Sequence, residues 1–126
     1  RKSKSTVIRT VRDSQLAYEI KSLYNFKCQM CGLTIETKKG RYAEGAHIKP
    51  IGKPHNGDDN ANNLLCLCPN HHVMLDKGII CIADDFSFKF LDNKLTNSCF
   101  NKLHIHKSHR INLDNLLFHR KIHGYD

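Results

Sequence analysis

The stretch from residue 64 to residue 78, LLCLCPNHHVMLDKG, decides the fold. It holds Cys66, Cys68 and two adjacent histidines, His71 and His72, within seven positions. A tetrahedral zinc set with three thiolates needs only one histidine to close it. The spacing predicts a strand over LLCLC and a short helix from near Pro69 to Gly78, with proline at its first turn. Neighbouring residues on a helix point about 100° apart. One histidine can therefore face a structural zinc while the other faces a cleft, and we read the pair as serving two different metals.

A second soft-ligand turn lies far upstream. Cys28 and Cys31 form C-x-x-C in CQMCG, with Gly32 freeing the backbone, and Cys68 with His71 forms C-x-x-H. Cys28, Cys31, Cys68 and His71 thus make a complete structural zinc set, a strong signal because two turns of matching spacing must coincide. Cys66 or His72 could stand in as the fourth ligand. Cys66 is the weaker substitute, since an alternating LLCLC strand puts Cys66 and Cys68 on one face, one strand step apart. Zinc binding coupled to folding would add much to a domain this small. Six cysteines arranged this way argue for thiols in a reducing, intracellular setting rather than a disulfide scaffold.

The remaining chain frames these turns. The 126 residues suit one domain with a modest core, and 20 lysines and arginines against 12 acidic residues give a formal charge of +8. Such a surplus favours a polyanionic partner through counterion release. No apolar run approaches the roughly 18 residues of a membrane span, and no secretory leader is visible. The chain begins at Arg1, which suggests a piece of a longer protein with a companion domain upstream. Residues 1–12 read as a basic linker or arm, and 13–126 as one α+β domain. Within it we expect a helix from about Ser14 to Tyr24, capped by Asp13, with Leu16, Ala17, Ile20, Leu23 and Tyr24 on its apolar face. RYAEGAHIKP reads as one strand stopped by Pro50, followed by the long loop IGKPHNGDDNANN. IICIA and FSFKFL form a hairpin. The tail helix INLDNLLFHRKIHG has helical spacing at Leu113, Leu116, Leu117 and Ile122.

His47 in AHIKP and Asn63 in NNLLCLC lie between the zinc turns, and His72 follows His71. Asn63 precedes Cys68 by five residues. Histidine, asparagine and histidine threaded through a two-turn zinc site in this register resemble the HNH nucleases of the ββα-metal fold. CQMCGL, YAEGAHIKPIGKPHNGDDNANNLLCLCPNHHVMLDKG and LHIHKSHRINLDNLLFHRKIHG are further similar to HNH domains that follow an SRA (YDG) domain in bacterial restriction endonucleases against modified cytosine. The resemblance covers most of residues 12–123 and is more specific for the HNH domain than for that fusion.

The resemblance implies a ββα-metal fold with flanking N- and C-terminal helices, acting on double-stranded DNA in the bacterial cytoplasm, with Mg²⁺ or Mn²⁺ as catalytic ion. It assigns His47 as general base and His72 as catalytic metal ligand, with Asn63 orienting the His47 ring or tying down the loop. Phosphodiester hydrolysis needs such groups: a near-neutral base for water and a cation for the developing charge. In one respect the chain departs from the pattern. Many relatives carry a second metal ligand immediately before the base, where this chain has Ala46. Glu44, on the Ala46 face of the strand, is the first substitute and Asp76, four residues after His72, the second. Lys49, Lys53, Lys107 and Arg110 are candidate phosphate contacts, and His104, His106 and His109 suggest either a second metal cluster or, as the preferred reading, a basic, phosphate-facing surface. Cutting both strands makes a homodimer plausible. The competing reading is a zinc-stapled nucleic-acid-binding module that cuts nothing.

Overall fold

A computed structural model of the chain describes residues 15–125. The basic arm and the Asp13 cap lie outside the described residues. A helix over residues 15–23 (α1) opens the described part, close to the expected span. Its Leu16, Ala17, Ile20 and Leu23, with Tyr24 just beyond, are the predicted apolar face, and they pack on Ala43, Leu64 and Cys66.

The expected single strand over RYAEGAHIKP is two. β1 (Ile35–Thr37) and β2 (Gly40–Tyr42) form an exposed hairpin, and β3 (Glu44–His47) leaves it to pair elsewhere. The break falls at Ala43, buried under α1. β3 runs antiparallel to β4 (Leu64–Leu67), with Gly45 opposite Cys66 and His47 opposite Leu64. α1 crosses this pair closely: a Cβ on Gly45 would lie 2.9 Å from Cβ of Ala17.

The ribbon separates two cores by strand alternation. Leu64 and Cys66 face α1, whereas Leu65 and Leu67 join Ala46, Ile48, Leu75 and Ile80 in the main core. The expectation that Cys66 and Cys68 share a strand face fails. β4 ends at Leu67, and Cys68 is instead the N-cap of α2 (Pro69–Asp76), because Pro69 begins the helix. Cys66 faces the α1 core, and its thiol donates to the Lys27 carbonyl at 3.3 Å.

β5 (Ile80–Ile82) and β6 (Phe88–Phe90) form the expected hairpin. A strap of irregular chain then crosses back over the first zinc turn. Buried Gln29 stitches it down, its Nε2 donating to the His104 carbonyl while its Oε1 accepts from the Cys66 N–H, both at 2.8 Å. α3 (Leu113–Ile122) closes the domain but buries an unexpected face. Leu116 is buried, whereas Leu113, Leu117 and Ile122 are exposed and Asn115, His119 and Arg120 go inside. Two of those polar groups find partners there. His119 Nε2–H donates to the Leu75 carbonyl at 2.7 Å, and Arg120 donates to the Ile82 carbonyl at 2.8 Å and pairs with Asp84 at 3.1 Å.

Candidate metal centre and catalytic cleft

Cys28, Cys31, Cys68 and His71 converge, with one ligand atom from each lying within 4.8 Å of all the others. Cys31 Sγ is 3.9 Å from Cys68 Sγ, and His71 Nδ1 is 3.3 Å from Cys68 Sγ and 3.7 Å from Cys28 Sγ. A tetrahedron with zinc–sulfur bonds of about 2.3 Å has edges of about 3.8 Å, so the set is already spaced to hold a metal such as zinc. Its chemistry fits as well. Burial pushes the Cys28 and Cys31 thiols up, and neighbouring thiolates push them further, so a cation is needed before they can ionise together. His71 Nε2 lies 3.4 Å from Ser98 Oγ and 3.5 Å from Cys99 Sγ, partners that can hold the ring with Nδ1 toward the metal.

His72 points elsewhere. It lines a cleft of about 420 Å³ with Gly45, His47, Ile48, Pro50, Gly52, Asp76, His119 and His123. A larger hollow of about 780 Å³ lies beside Tyr24, Cys28, Phe100 and His104, but none of His47, Asn63 and His72 lines it. The chemistry therefore selects the smaller cleft. β3 supplies His47 at its last residue and Glu44 at its first, and α2 supplies His72 and Asp76.

Each carboxylate named from the sequence meets His72. Glu44 Oε1 lies 2.7 Å from His72 Nδ1, and Asp76 Oδ2 lies 3.3 Å from His72 Nε2. Glu44 is itself held from behind, since the Tyr42 hydroxyl donates to its Oε2 at 2.6 Å. That hydrogen bond, with the one from His72, holds the Glu44 carboxyl below the usual carboxylate range, and the Tyr42 phenol is raised in return. Ala46, two residues after Glu44, is fully buried in the main core.

Asn63 is fully buried and grips the loop rather than the His47 ring. Its Oδ1 accepts from Lys49 N–H at 2.8 Å, and its Nδ2 donates to the carbonyls of Lys49 at 2.9 Å and Asp58 at 2.8 Å. The partner of His47 is one that sequence reasoning missed: Asp59 Oδ1 lies 2.8 Å from Nε2. Asp59 sits in a loop rich in Gly, Asn and Asp, where no periodic signal marks it. His119 and His123 were also missed as cleft residues. Burial pushes the His119 ring down to about 4 and lowers His123 as well.

The candidate phosphate contacts divide. Lys53 is exposed next to cleft residue Gly52, while Lys49 lies over the Phe118 ring, its Nζ 4.4 Å from the centroid. Lys107 and Arg110 are exposed but do not line the cleft, and Arg110 borders a separate hollow with Asp84 and Asp85. The histidine surface divides too. His104 is exposed, but His109 is buried, with Nδ1 against the Tyr24 hydroxyl and Nε2 on the Ala61 carbonyl. Burial lowers the pKa of His109, so it presents no charge to a phosphate.

Residues 28–83 match the HNH endonuclease family. Among solved structures, the chain is similar to the modification-dependent restriction endonuclease TagI, at 39% identity and a TM-score of 0.77 over 86% of this chain. It spans 37% of that protein's length. No curated protein matches it. The TagI likeness is too high in identity to be one of fold alone, and the family match spans β3, β4, α2 and the four candidate metal ligands: the chain carries an HNH endonuclease domain.

Proposed function

We propose that this domain hydrolyses phosphodiester bonds in double-stranded DNA, with His47 as general base and His72 as ligand of a catalytic divalent ion. The observation that carries the proposal is the shared cleft. His47 from β3 and His72 from α2 line one hollow, and the residue before His72 belongs to the zinc set that fixes α2. His47 takes the proton of the attacking water, while Asn63 ties down the loop between β3 and β4. A bound Mg²⁺ or Mn²⁺ would supply charge stabilisation at the phosphate and the leaving oxygen. Zinc is the structural ion we assign to Cys28, Cys31, Cys68 and His71.

The geometry favours Asp76 over Glu44 as the second ligand. A carboxylate only accepts, so the His72 contact with Glu44 puts the ring proton on Nδ1 and leaves the Nε2 lone pair facing Asp76. In the neutral ring that leaves two acceptors 3.3 Å apart, which either a second ring proton or a metal cation can join. That spacing is close to the roughly 3 Å between adjacent ligands of an octahedral ion with bonds of about 2.1 Å. Glu44 then serves as the carboxylate that orients a ligating histidine. Asp76 thus offers the carboxylate that Ala46 lacks.

The likeness to a modification-dependent restriction endonuclease supports a role in restriction of modified DNA. We assign recognition to a separate, SRA-like domain upstream, because an HNH cleft grips the backbone and reads few bases. Two-strand cleavage would use two copies of the domain. No described helix is long and apolar enough to cross a membrane.

Supercoiled plasmid incubated with the protein in Mg²⁺ or Mn²⁺ tests the proposal. Nicking or linearisation is expected, abolished by EDTA and by His47→Ala. Plasmid that is retarded on a gel but never cut would leave a zinc-stapled binding module in its place. Mn²⁺ titrated into the zinc-loaded protein ranks the ligands, since Asp76→Ala should weaken binding more than Glu44→Ala.

A further inference from the structure

We infer that Asp59 is the residue that positions His47, and that Asn63 acts on His47 through it. The inference rests on the nuclease reading above but names a group which that reading does not contain.

The loop between β3 and β4 is clamped at a single point. Asn63 Nδ2 holds the carbonyls of Lys49 and Asp58, the first just after β3 and the second next to Asp59. Gly57 N–H donates to the Pro50 carbonyl at 2.7 Å. The approach there is so close that a Cβ on Gly57 would lie 2.2 Å from the Lys49 carbonyl oxygen. These contacts fix the backbone on both sides of Asp58, and the next side chain reaches His47 Nε2 at 2.8 Å. These side-chain hydrogen bonds of Asn63 all go to backbone, none to the imidazole. Asn63 holds the peptide from which Asp59 reaches the ring.

The chemistry of the contact follows from the acceptor. A carboxylate draws the ring proton to Nε2, so the neutral His47 keeps its lone pair on Nδ1, the nitrogen left to take a proton from water. The other ionisable groups lining the cleft are His72 and Asp76 on α2, His119 on α3 and His123 just past its end. Asp59 is the carboxylate in hydrogen-bond contact with the ring. An aspartate paired with a base histidine sets its tautomer and orientation without itself changing protonation.

The test compares wild type, Asp59→Asn, Asp59→Ala and Asp59→Glu, each loaded with zinc and melting like wild type. Nitrogen-15 NMR of the His47 ring, in protein without the catalytic ion, reads the tautomer directly. Wild type should show a predominantly Nε2-protonated ring, and Asp59→Ala a mixture of the two tautomers. Plasmid nicking in Mn²⁺ should fall about 10- to 100-fold in Asp59→Ala. Nicking should recover in part in Asp59→Glu, which keeps a carboxylate within reach of the ring. An unchanged tautomer in Asp59→Ala would overturn the inference even if no plasmid were ever cut. Nicking within about twofold of wild type would overturn it as well. Loss of all cutting in wild type, with the NMR result as expected, would instead count against the nuclease reading.

Discussion

His119 should make the domain lose stability between neutral and mildly acidic pH, by an amount that can be worked out. Its ring is 3% exposed, and Nε2–H donates to the last-turn carbonyl of Leu75, joining α3 to α2. Burial sets its pKa at about 4 against an ordinary 6.5, with Arg120 and His123 adding smaller repulsions. A histidine depressed in the fold binds its proton more readily when unfolded. Its contribution is therefore fully present above about pH 6.5 and drains away as pH falls toward 4. Between about pH 7 and pH 5.5 the linkage amounts to about 1.2 kcal/mol. That window lies wholly above the folded pKa, so the loss is set mainly by the unfolded value. His119→Gln keeps a donor for the Leu75 carbonyl but does not titrate. Urea unfolding at the two pH values, with zinc saturating, should show wild type losing about 1 kcal/mol more than the variant. His109 and His123 titrate in both proteins and cancel. Equal losses would refute the reasoning and imply that the His119 ring is already charged or already wet in the fold.

Three further outcomes follow from the same packing. A strong chelator should strip zinc and lower the melting temperature by tens of degrees, because the buried thiols lose the cation that lets them ionise together; an unshifted melt would mean the four ligands hold no structural ion. Cys68→Ala should lose the zinc while Cys66→Ala keeps it, and metal analysis of the two purified variants decides between this assignment and one that uses Cys66. Leu65→Ala should cost about 2–5 kcal/mol in urea unfolding, since Leu65 is fully buried between β3 and the main core; a loss below 1 kcal/mol would contradict that packing.

The legible parts of this molecule are those whose signal is local. Cys28, Cys31, Cys68 and His71 could be named because each ligand pair sits within a single turn, where spacing alone determines whether two side chains can meet. The α1 face was legible because its apolar residues repeat at helical intervals and bury one stripe. α3 misled for the converse reason. Periodicity counts apolar residues, but this helix turns His119 and Arg120 inward because the carbonyls of Leu75 and Ile82 are there to receive them. Nothing in the sequence announces an acceptor contributed by the backbone of another element. Asp59 was hidden by the same kind of distance. It stands 12 residues from His47 in a loop without periodicity, and only the path imposed by Asn63 and Gly57 brings it to the ring.

The adjacent histidines couple the two sites through one peptide unit. His71 turns Nδ1 toward the thiols, while His72 turns Nδ1 to Glu44 and Nε2 to Asp76. The helix that carries them is only eight residues long, too short to hold its shape unaided. Its N-cap is Cys68, one of the four residues that could hold a metal, and its last turn is caught by His119 through the Leu75 carbonyl. A metal at the Cys28, Cys31, Cys68 and His71 set would fix one end of α2 as α3 fixes the other, and the β3–β4 ribbon, packed against a core on each face, holds His47 and Glu44. An active cleft assembled across two elements needs both held to within about 0.5 Å. In so small a domain, placing the structural ligand and the candidate catalytic ligand next to each other leaves one peptide bond between the staple and the chemistry.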